Sequence, residues 1–593
     1  MNVSDFIVGR LAQWRVGRIY GYPGDGINGL FGALHRDGCA IDFIQVRHEE
    51  MAAFMACAHA KFTGDPGVCI ATSGPGAIHL LNGLYDAKAD HVPVVAIVGQ
   101  AATTALGSSY QQEVDLQQLF EDACEYVYTI ASPAAAAHVV DRAFRTAIGM
   151  RAVTAIVIPK DIQEANHADP PRKHNTAHSS VGLCKPVVMP NEDDLRRAAA
   201  ILNSSDRIAM LVGAGALGAT NEVIAVADRL NAGIAKALLG KAAVPDDLPF
   251  VTGTIGLLGT KPSSDMMEHC DALLMVGTSF PYSEFLPPPG KVPGIQIDID
   301  PRNLGIRYPT ELNLVGDTAA TLRALLPLLD AHSDGSWRKK LEDAKNAWEE
   351  QELARAHVSA SPLNPQLLFT ELSKRVPDNA ILTGDAGTAT NWFARNVKVR
   401  RGMKASLSGG LATMGGAVPY AIAAKFAFPD RVAIAMTGDG AMQMNGMAEL
   451  LTVAKYWQTW SDPRLIVLVL NNADLNQVTW EMRVMNGDPK FDASQNLPDF
   501  SYAAFAEQAG LLGIPLDDPA NVEAAWASAL NAERPVVIDA KVDPAVPQLP
   551  PHITFDEAHH YFSAMTKSDP QLASVIKESI KTLAAGAIPQ NLR

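Results

Sequence analysis

Cysteine is scarce in this chain: there are six in 593 residues, with no CxxC pair and no metal-ligand spacing to a histidine. A structural zinc site and a disulfide framework are therefore not expected, and a reducing compartment fits this usage. The cysteines are Cys39, Cys57, Cys69, Cys124, Cys184 and Cys270.

Charged residues are also few, and positively charged residues are fewer than negatively charged ones. Charged residues make up 19% of the chain, and 49 Lys and Arg stand against 64 Asp and Glu, for a formal net charge of −15. Disordered chains carry more charge, and nucleic-acid-binding proteins carry an excess of positive charge. We expect no nucleic-acid partner, so any anionic ligand must be held by local devices such as helix N-termini or a metal ion.

Long apolar runs are absent as well. No run approaches the roughly 20 residues that a membrane-spanning helix needs. Residues 1–16 carry Asp5, Arg10 and Arg15 among apolar residues, which predicts a first core helix and not a signal peptide. These features favour a cytoplasmic protein.

Short apolar runs, in contrast, are abundant: 48% of the residues are hydrophobic, and strand-like runs alternate with helix-like segments. A chain of 593 residues is too long for one core, and βα alternation predicts parallel sheets with helices on both faces. The predicted fold is α/β, with three doubly wound parallel-sheet domains and a C-terminal helical tail. Polar, proline-bearing stretches predict boundaries at 1–165, 190–330, 360–543 and 544–593. The first and third blocks share strands that end in glycine-rich turns, as expected of two related domains facing each other across a ligand.

One stretch of the third block points to a ligand. Residues 437–441 read Thr-Gly-Asp-Gly-Ala after an apolar run, and a second apolar run ends at Asn471 and Asn472. Two parallel strands would place Asp439 and Asn472 at the same carboxyl edge of a sheet, where α/β proteins bind ligands. Glycines allow close approach of a phosphate, and carboxylate and amide oxygens suit a hard divalent cation. The pattern predicts a diphosphate held through Mg²⁺, although ordinary turn chemistry explains these residues equally well on their own.

The first block offers a carboxylate and a tight turn. Residues 45–50 read Gln-Val-Arg-His-Glu-Glu and run from an apolar strand into a helix of small and apolar residues. A glutamate in a first helical turn is commonly a capping residue. The functional interpretation is that Glu49 or Glu50 is a buried carboxyl that exchanges a proton with a ring nitrogen. Residues 71–76, Ala-Thr-Ser-Gly-Pro-Gly, then form a strand-to-helix turn suited to the edge of a cofactor.

The second block contains a Gly-x-Gly-x-x-Gly sequence at 213–218, after a strand-like run. An acidic residue about 20 positions on, which NAD-binding domains use, is missing, and Lys236 lies in that region instead. Three further strand-end turns, at 256–259, 277–281 and 298–301, contain small or acidic residues able to line an extended dinucleotide. A plain doubly wound domain with ordinary turns is the alternative.

Two more glycine-bearing turns lie in the third block. Residues 384–388 read Gly-Asp-Ala-Gly-Thr, and residues 412–417 read Ala-Thr-Met-Gly-Gly-Ala. The second turn would let the backbone pass close to a flat ring, with Met414 as an apolar wedge beneath it. An isolated methionine is more often only structural.

Taken together, these pieces resemble the thiamine-diphosphate enzymes of the acetolactate synthase and pyruvate oxidase superfamily over nearly the whole chain. The similarity is greatest to FAD-containing pyruvate oxidases, in particular the bacterial quinone-dependent, membrane-associated branch. It rests on several unrelated motifs in that family's order and spacing, at residues 47–50, 79–84, 90–94 and 295–301.

The resemblance implies roles for individual residues. Glu49 would bond the pyrimidine N1′ of thiamine diphosphate and so promote loss of the thiazolium C2 proton. Asp439 and Asn472, with a backbone carbonyl near Asp474, would hold Mg²⁺ on the diphosphate, and Met414 would force the bent cofactor conformation. The other residues matching thiamine-diphosphate-binding stretches are Gly24, Ser73, Asn82, Gly387, Thr388, Ala412, Thr413, Gly440 and Ala441. Those assigned to FAD are Gly213, Gly256, Leu257, Leu258, Gly259, Gly277, Thr278, Ser279, Phe280, Pro281, Asp298, Ile299, Asp300, Pro301, Arg302 and Asn303.

The resemblance also implies an oligomer and a reaction. The reactive centre would form between block one of one subunit and block three of another, so a homodimer or homotetramer is expected. The implied reaction is oxidative decarboxylation of a 2-oxo acid such as pyruvate, because the cofactor supplies an electron sink and a nearby flavin takes two electrons for a quinone or oxygen. The alternative is a non-oxidative carboligase or lyase of acetolactate synthase type in which FAD is structural.

The chain departs from the pyruvate oxidase pattern at two pocket positions. Gln111 and Gln112 stand where pyruvate oxidases usually have Phe-Gln, and Gln477 stands for a Phe four places before Glu481. Gln112 and Glu481 therefore match as catalytic residues, whereas Gln111 and Gln477 replace aromatic side chains by amides. Polar groups in a pocket that should be apolar favour a bulkier or more polar substrate than pyruvate.

Two further segments carry expectations. Residues 456–464, with Trp457 and Trp460, are longer than the family pattern and are expected to form a helix-end loop at the surface or a subunit contact. The tail is predicted to contain a helix that packs on the body or covers the site, in preference to one that touches the inner face of the membrane, because basic residues are few. Its expected apolar face consists of Leu572, Val575, Ile576, Ile580 and Leu583, with Lys577 and Lys581 off that face.

Overall fold

The computed structural model describes residues 1–548 except 37 and 39, and residues 560–586 except 562, 565, 566 and 568. Cys39 and the predicted tail segments 549–559 and 587–593 lie outside the described residues.

The N-terminal part of the chain folds around a six-stranded parallel sheet. Its strands are β1 (Arg18–Gly21), β2 (Asp42–Gln45), β3 (Gly67–Ala71), β4 (Val94–Gln100), β5 (Tyr126–Thr129) and β6 (Val153–Pro159). They lie in the order β2-β1-β3-β4-β6-β5. The flanking helices are α1 (Val3–Gln13), α2 (Asn28–Arg36), α3 (Glu49–Thr63), α4 (Pro75–His79), α5 (Leu81–Ala89), α6 (Leu116–Phe120), α7 (Ala136–Met150) and α8 (Lys160–Glu164).

The central part folds around a second six-stranded parallel sheet. Its strands are β7 (Ile208–Val212), β8 (Gly233–Lys236), β9 (Val251–Thr254), β10 (Ala272–Val276), β11 (Gly294–Asp298) and β12 (Leu312–Val315). They lie in the order β12-β11-β10-β7-β8-β9. The helices are α9 (Glu192–Asn203), α10 (Thr220–Arg229), α11 (Lys261–His269) and α12 (Thr318–Leu325), followed by a long connector helix, α13 (Ser336–Ala356).

A third six-stranded parallel sheet follows the connector. Its strands are β13 (Ile381–Gly384), β14 (Lys404–Ser406), β15 (Ala433–Gly438), β16 (Leu465–Asn471), β17 (Leu512–Leu516) and β18 (Val536–Lys541). They lie in the order β14-β13-β15-β16-β18-β17. The helices are α14 (Pro365–Arg375), α15 (Thr388–Asn396), α16 (Ala417–Ala427), α17 (Asp439–Ala441), α18 (Met447–Tyr456), α19 (Asn476–Glu481), α20 (Asp492–Gln495), α21 (Tyr502–Gln508) and α22 (Val522–Leu530), and the tail contributes α23 (Leu572–Ala585).

The predicted fold class is confirmed: the chain has three doubly wound, all-parallel sheets with helices on both faces. Strands β4 and β16 are buried along their whole length, as strands covered on both faces must be. The first and third sheets have the same strand order once each is numbered from its own first strand. The central sheet instead has the order 3-2-1-4-5-6 of dinucleotide-binding folds, with its switch point between β7 and β10.

The first and third domains share one hydrophobic core. Helix α3 is buried over most of its surface, and its apolar side chains pack in the same cluster as those of α16. A helix that is apolar all round belongs inside a larger structure. The two domains of one chain are therefore held together by apolar packing and not only by their linkers.

The extra segment after α18 is not a surface loop throughout. Trp460 is 6% exposed and packs edge-on against Phe426, with ring centroids 5.7 Å apart. The hydroxyl of Tyr456 accepts a hydrogen bond from the backbone N–H of Gln45 at 2.9 Å. The expectation of a surface loop is thus wrong for Trp460, which is buried against Phe426 of its own domain, while the alternative of a subunit contact stays a prediction.

The tail helix α23 packs on the body through only part of the expected face, because Leu572 and Val575 join an apolar cluster of the body. Val575, Glu578, Ser579 and Thr582 are buried, whereas Ile576, Ile580 and Leu583 are exposed. Polar contacts select this face, since Tyr561 bonds Ser579 at 2.8 Å and Lys581 Nζ donates to the Ser359 carbonyl at 2.9 Å. Among the described residues, no helix is long and apolar enough to cross a membrane.

Candidate functional site

The residues that the sequence predicts as Mg²⁺ ligands meet at one sheet edge. Strands β15 and β16 are neighbours in register, and Gly438 lies opposite Leu470. Asp439 follows β15 and is 3% exposed. Its Oδ1 accepts from the Gly440 N–H at 2.9 Å, and its Oδ2 accepts from the N–H groups of Asn472 and Ala473 at 2.9 and 2.6 Å. Burial raises the pKa of Asp439 to about 6 in the absence of a cation.

The third predicted ligand, Asp474, has its side chain engaged within the protein. Its Oδ1 accepts from Thr479 Oγ1 at 2.9 Å and lies 3.1 Å from Lys490 Nζ, and its Oδ2 accepts from Asn476 Nδ2 at 3.1 Å. The carboxylate is therefore neutralised by Lys490, and only the backbone near Asp474 is left as a ligand. The preceding residue, Ala473, is held at φ +53°, a left-handed conformation costing about 1–2 kcal/mol for a residue with a side chain.

Open space lies beside this edge. A Cβ added to Gly438, or to Gly387 at the start of α15, would meet no atom within 4 Å. Gly387 has φ +116°, a conformation that side chains avoid, and Thr388 opens a nine-residue helix behind it. Bare backbone and a helix N-terminus form a cradle for a phosphate group. Together with a carboxylate and an amide oxygen, this donor set fits a diphosphate bound through Mg²⁺.

The loop that carries Met414 is tied to the same edge by Asp385. Asp385 Oδ1 accepts from the Gly415 N–H at 2.7 Å, and Oδ2 accepts from the Ala417 N–H and Thr437 Oγ1, both at 3.2 Å. Burial raises the pKa of Asp385 to about 6. A Cβ on Gly440 would lie 3.5 Å from Met414 Cε, so the predicted wedge lies beside the Gly-Asp-Gly turn. The sequence had assigned no role to Asp385, although its position directly after a strand was a usable signal.

The predicted proton-exchanging residue, Glu49, lies at the N-terminus of α3 with its side chain 9% exposed. Its Oε2 is 2.9 Å from His79 Nδ1, and its Oε1 faces Gly76, where a Cβ would come within 3.1 Å. The His48 ring packs against that of His79 with centroids 4.4 Å apart. Ligand atoms of His48, Glu49 and His79 all lie within 4.8 Å of one another. The sequence had not given His79 a role.

Glu50 and Asn82 connect the first domain to the third. Asn82 Nδ2 donates to Glu50 Oε1 and, at 3.0 Å, to Thr413 Oγ1. Asn445 Nδ2 donates to Glu50 Oε2 at 3.4 Å. Two residues predicted to bind cofactor, Asn82 and Thr413, are thus brought together within one chain. Ala412, before Thr413, has φ +53°.

A second link joins the two domains behind Glu49. Glu449 of α18 accepts from the Arg47 N–H at 2.8 Å through Oε1, while its buried Oε2 has no hydrogen bond within the described chain. Burial raises the pKa of Glu449 to about 7. The sequence could not indicate this contact, because the two residues are 402 positions apart.

The predicted pocket residues of the first domain lie in an exposed loop. Ser73 Oγ donates to Gln112 Oε1 at 3.0 Å, and Gln112 has φ +63°. Gln111 is exposed beside Tyr110. Gly24 packs on Thr72, where a Cβ would come within 2.5 Å of the side chain.

The pocket residues of the third domain are joined by hydrogen bonds. Gln477 Nε2 donates to Glu481 Oε1 at 3.0 Å, and Asn391 Nδ2 donates to Gln477 Oε1 at 2.9 Å. Asn391, on α15, has no role in the sequence-based prediction. The structure brings Gln477 and Glu481 together and holds Gln111 and Gln112 in a separate loop.

The Gly-x-Gly turn of the central domain serves packing. The Gly213 N–H donates to the Val276 carbonyl at 3.0 Å, and the Gly215 N–H donates to the Gly277 carbonyl at 2.9 Å. A Cβ on Gly213 would come within 2.4 Å of the Gly277 carbonyl oxygen and 2.6 Å of Thr278 Cβ. These glycines let the ends of β7 and β10 approach closely, so the geometry accounts for Gly213 and Gly277 without a ligand.

The other predicted flavin residues surround a partly apolar surface. Gly256 has φ +96° and faces the Phe280 ring, where a Cβ would come within 3.1 Å. Leu257 and Ile299 are exposed. Ser279 and Pro281, on either side of Phe280 in the sequence, are exposed as well. Arg395 of the third domain donates to the carbonyls of Leu257 and Gly259 at 2.6 and 3.1 Å. Leu258 uses its carbonyl to accept from Thr254 Oγ1 at 3.1 Å.

The acidic turn after β11 is held by its own backbone. Asp298 is buried, which raises its pKa, and its Oδ1 accepts from the Asp300 N–H at 2.9 Å. Asp300 pairs with Arg302 at 2.8 Å, and the Asn303 carbonyl accepts from a buried glutamine amide at 3.1 Å. Pro301 begins the short turn that ends at Asn303. In this turn, the buried Asp298 carboxyl is the group that could accept a hydrogen bond from a ligand hydroxyl.

A cavity of about 670 Å³ lies elsewhere, between the central domain, α13 and the third domain. Its wall includes Lys241, Lys345, Glu349 and Arg395, and neither Asp439 nor Glu49 lines it. We place the candidate site by chemistry at the sheet edge, where the carboxylate, amide and open backbone converge, and not in this cavity.

Comparison with known proteins gives matches along most of the chain. Residues 1–119 match the N-terminal TPP binding domain of thiamine pyrophosphate enzymes, residues 195–325 their central domain, and residues 385–540 their C-terminal TPP binding domain. A Bacillus subtilis protein named for thiamine pyrophosphate is 37% identical over 94% of each chain. Pyruvate oxidase of Lactiplantibacillus plantarum is 30% identical over 90% of this chain and 87% of its own length. The large subunit of acetolactate synthase isozyme 2 of Escherichia coli is also 30% identical, over 92% of this chain and 96% of its own length.

Proposed function

This chain belongs to the thiamine-pyrophosphate enzymes of the acetolactate synthase and pyruvate oxidase superfamily, and we propose that it decarboxylates a 2-oxo acid oxidatively with thiamine diphosphate, Mg²⁺ and FAD. The observation that carries the proposal is the edge formed by Asp439 and Asn472 beside the open backbone of Gly387 and Gly438. Asp439 is buried at the end of β15, and a Cβ built on Gly438 or Gly387 would meet no atom within 4 Å.

In this proposal Asp439, Asn472 and the backbone near Asp474 hold Mg²⁺, and Gly387 and Gly438 leave room for the diphosphate. The bound cofactor supplies the electron sink that decarboxylation requires. Met414 would contact the bound cofactor, and Asp385 fixes the loop on which Met414 lies.

In this proposal Glu49 would hold a proton at the pyrimidine ring of the bound cofactor. His79 Nδ1 lies 2.9 Å from Oε2, which leaves Oε1, facing Gly76, as the oxygen free to exchange a proton. The family resemblance implies that the first domain of one subunit meets the third domain of another, so at least a homodimer is proposed.

FAD is proposed to bind the central domain. The strand order 3-2-1-4-5-6 is that of dinucleotide-binding folds, and Gly256, Leu257, Ile299 and buried Asp298 offer an apolar surface with one hydroxyl acceptor. The electrons are proposed to pass to a quinone or to oxygen. A non-oxidative carboligase is the alternative function, because acetolactate synthases match this chain at 28 to 30% identity and a pyruvate oxidase matches it at 30%.

Anaerobic mixing of the holoenzyme with 2-oxo acids separates the two functions. An oxidase loses its flavin absorbance within one turnover and regains it when a quinone or oxygen is added. Formation of acetolactate from pyruvate while the flavin stays oxidised would overturn the oxidase proposal in favour of the carboligase.

A further inference from the structure

A continuous line of side-chain hydrogen bonds runs through the third domain and passes through Asn391. It begins at a carboxylate near the proposed metal edge and ends at a second carboxylate on α19. The side chains, in order, are Asp474, Asn476, Gln548, Asn391, Gln477 and Glu481.

The carboxylate of Glu481 fixes the direction of one arm. An ionised carboxylate only accepts hydrogen bonds, so Gln477 must turn its amide nitrogen toward Glu481. Its carbonyl oxygen Oε1 then faces Asn391, which must donate, as it does at 2.9 Å.

The carboxylate of Asp474 fixes the other arm in the same way. Asn476 turns its nitrogen to Asp474 at 3.1 Å, so its oxygen accepts from Gln548 Nε2 at 3.2 Å. The oxygen of Gln548 is thereby left facing Asn391, which donates to it as well.

Both N–H donors of the Asn391 amide are therefore used in hydrogen bonds within the protein. Its carbonyl oxygen Oδ1 accepts no hydrogen bond from the described residues, yet the residue is only 5% exposed. The two arms thus hold a single acceptor in a fixed orientation, because rotating the amide would break bonds on both sides.

This acceptor lies near the proposed cofactor edge. Asn391 is four residues into the helix that follows Gly387, which corresponds to about 6 Å along the helix axis. Gln477 is the second residue of α19, just after the loop that contains Asn472 and Asp474. The strands that lead into these two helices, β13 and β16, lie on either side of β15 and Asp439.

We propose that Asn391, held by Gln477 and Gln548, selects a 2-oxo acid that carries a hydroxyl group on the carbon next to its carbonyl, a 3-hydroxy-2-oxo acid, over pyruvate. This inference rests on the proposed decarboxylation. A hydroxyl donates to the fixed Asn391 oxygen, whereas the methyl group of pyruvate would bury that oxygen unpaired. Sites built to bond a substrate hydroxyl discriminate against the analogue that lacks it far more strongly than apolar pockets discriminate by size.

The test compares two substrates that differ only by this hydroxyl, hydroxypyruvate and pyruvate, by CO₂ release from the holoenzyme. We expect kcat/KM to favour hydroxypyruvate by at least about 10-fold in the wild type. Asn391→Leu, similar in volume but without an amide, should reduce this preference at least about 10-fold, mainly through loss on hydroxypyruvate. Asn396→Leu, on the same helix and outside the hydrogen-bonded line, is the matched control and should keep the wild-type ratio.

Binding gives a readout that does not depend on turnover. Glycerate and lactate differ by the same hydroxyl and have no 2-oxo group to decarboxylate, so their Kd values can be compared by calorimetry on the holoenzyme. We expect glycerate to bind the wild type at least about 10-fold more tightly and Asn391→Leu to remove that difference.

Three outcomes decide between the ideas. A lower hydroxypyruvate preference in Asn391→Leu, with an unchanged ratio in Asn396→Leu, supports the inference. Equal use of both substrates by the wild type, or a ratio that Asn391→Leu leaves unchanged, overturns it while the decarboxylation proposal stands. Absence of CO₂ release from every 2-oxo acid tried would instead overturn the proposed function, and the inference with it.

Discussion

Glu49 is the residue whose surroundings are most specific to proton exchange. It is a nearly buried carboxyl with one oxygen held by His79 and the other facing the backbone at Gly76. A capping glutamate would instead bond the N–H groups of its own helix, and here it is the His48 side chain that bonds the Glu50 N–H. The geometry therefore favours a chemical role for Glu49.

We expect Glu49→Gln to lower kcat by at least about 100-fold, because general acid–base residues typically contribute 10²- to 10⁴-fold. The amide keeps the shape and the contact with His79, so the melting temperature should change little. Steady-state CO₂ release measures the loss, and Glu121→Gln, an exposed position in the same domain, is the control. Turnover within a few fold of the wild type would contradict the assigned role.

Asp439 carries the second residue-scale prediction. Three N–H groups point at its oxygens, so Asp439→Asn would place an amide N–H among donors and remove the charge that a cation needs. We expect the affinity for thiamine diphosphate in the presence of Mg²⁺ to fall at least about 10-fold. The rise in melting temperature on adding both ligands measures this, since ligands stabilise the folded state by binding it.

Asp430→Asn provides the comparison for Asp439, because Asp430 is exposed in the same domain. It should keep the full ligand-induced rise. An Asp439→Asn variant that retains that rise would show that Asp439 is a turn residue only.

Among single residues, the sequence identified those that stand in recognisable local patterns. Asp439 follows β15 directly and Glu49 opens the helix after β2, and these local patterns predict their places at the edges of the two sheets. Asn391, His79 and Glu449 could not be found in this way, because their partners are distant in sequence; Glu449 and Arg47 are 402 positions apart.

At the scale of elements, a buried ion pair joins the tail to the third domain, beside a small apolar cluster that contains Trp480, Ala564 and Val575. Arg483, just beyond α19, forms two hydrogen bonds of 2.9 Å with Asp569, and both side chains are fully buried. Asp569 also accepts from the Lys490 N–H at 2.9 Å. The element that carries Gln477 and Glu481 is therefore connected to the segment that leads into α23.

Asp569→Ala should leave the Arg483 charge buried and unpaired, which costs about 3–5 kcal/mol. We expect this cost to be met locally by release of α23, seen as faster hydrogen exchange over 572–585 and as new tryptic cleavage there. Asp488→Ala removes an exposed pair with Lys567 and should cost no more than about 1 kcal/mol. Equal protection of α23 in both variants would show that apolar packing, and not this pair, holds the tail.

The tail helix also shows where pattern reading reaches its limit. The hydrophobic period predicts a helix, and α23 is there; of its expected apolar face, Leu572 and Val575 pack on the body, whereas Ile576, Ile580 and Leu583 are exposed. The buried face contains Glu578 and Ser579, whose polar partners come from elsewhere in the fold. The hydrophobic period predicts that a helix forms. Which face of the helix is buried depends on contacts with residues distant in the sequence, which no local pattern contains.

For the molecule as a whole, the number and class of the domains followed from βα alternation. The strand orders did not, because a sequence of alternating elements allows several orders in one sheet. The identical order of the first and third sheets agrees with the prediction of two related domains, which rested on their shared strand ends. The boundaries predicted at 165, 190, 330, 360 and 543 stay predictions.

The joint between the first and third domains carries a prediction about pH. Glu449 is buried there with its pKa raised to about 7 from 4.5, so the folded protein favours the neutral carboxyl. The stabilisation of the folded protein that results from this raised pKa is complete below about pH 4.5 and is lost as the pH rises through 7.

Glu449→Gln stays neutral at every pH and should therefore melt higher than the wild type at pH 8. The gain is expected to be at most about 3 kcal/mol and to disappear near pH 4.5. Thermal unfolding at pH 5 and pH 8 checks this, with Glu533→Gln at an exposed position as the control. A difference between variant and wild type that does not change with pH would contradict the assignment.

The helix that begins at Asp439 has a mechanical consequence. It runs without interruption through α17, a wider turn over Met442–Gly446, and α18, and it carries Glu449 about 15 Å beyond Asp439. At the start of this helix Asp439 accepts a hydrogen bond from the Asn472 N–H. Further along, Glu449 accepts one from the N–H of Arg47, two residues before Glu49. This helix connects the backbone at Asp439 to that of Arg47 within one chain, so a substitution in α18 that displaces Glu449 is expected to affect the placement of both Asp439 and Glu49.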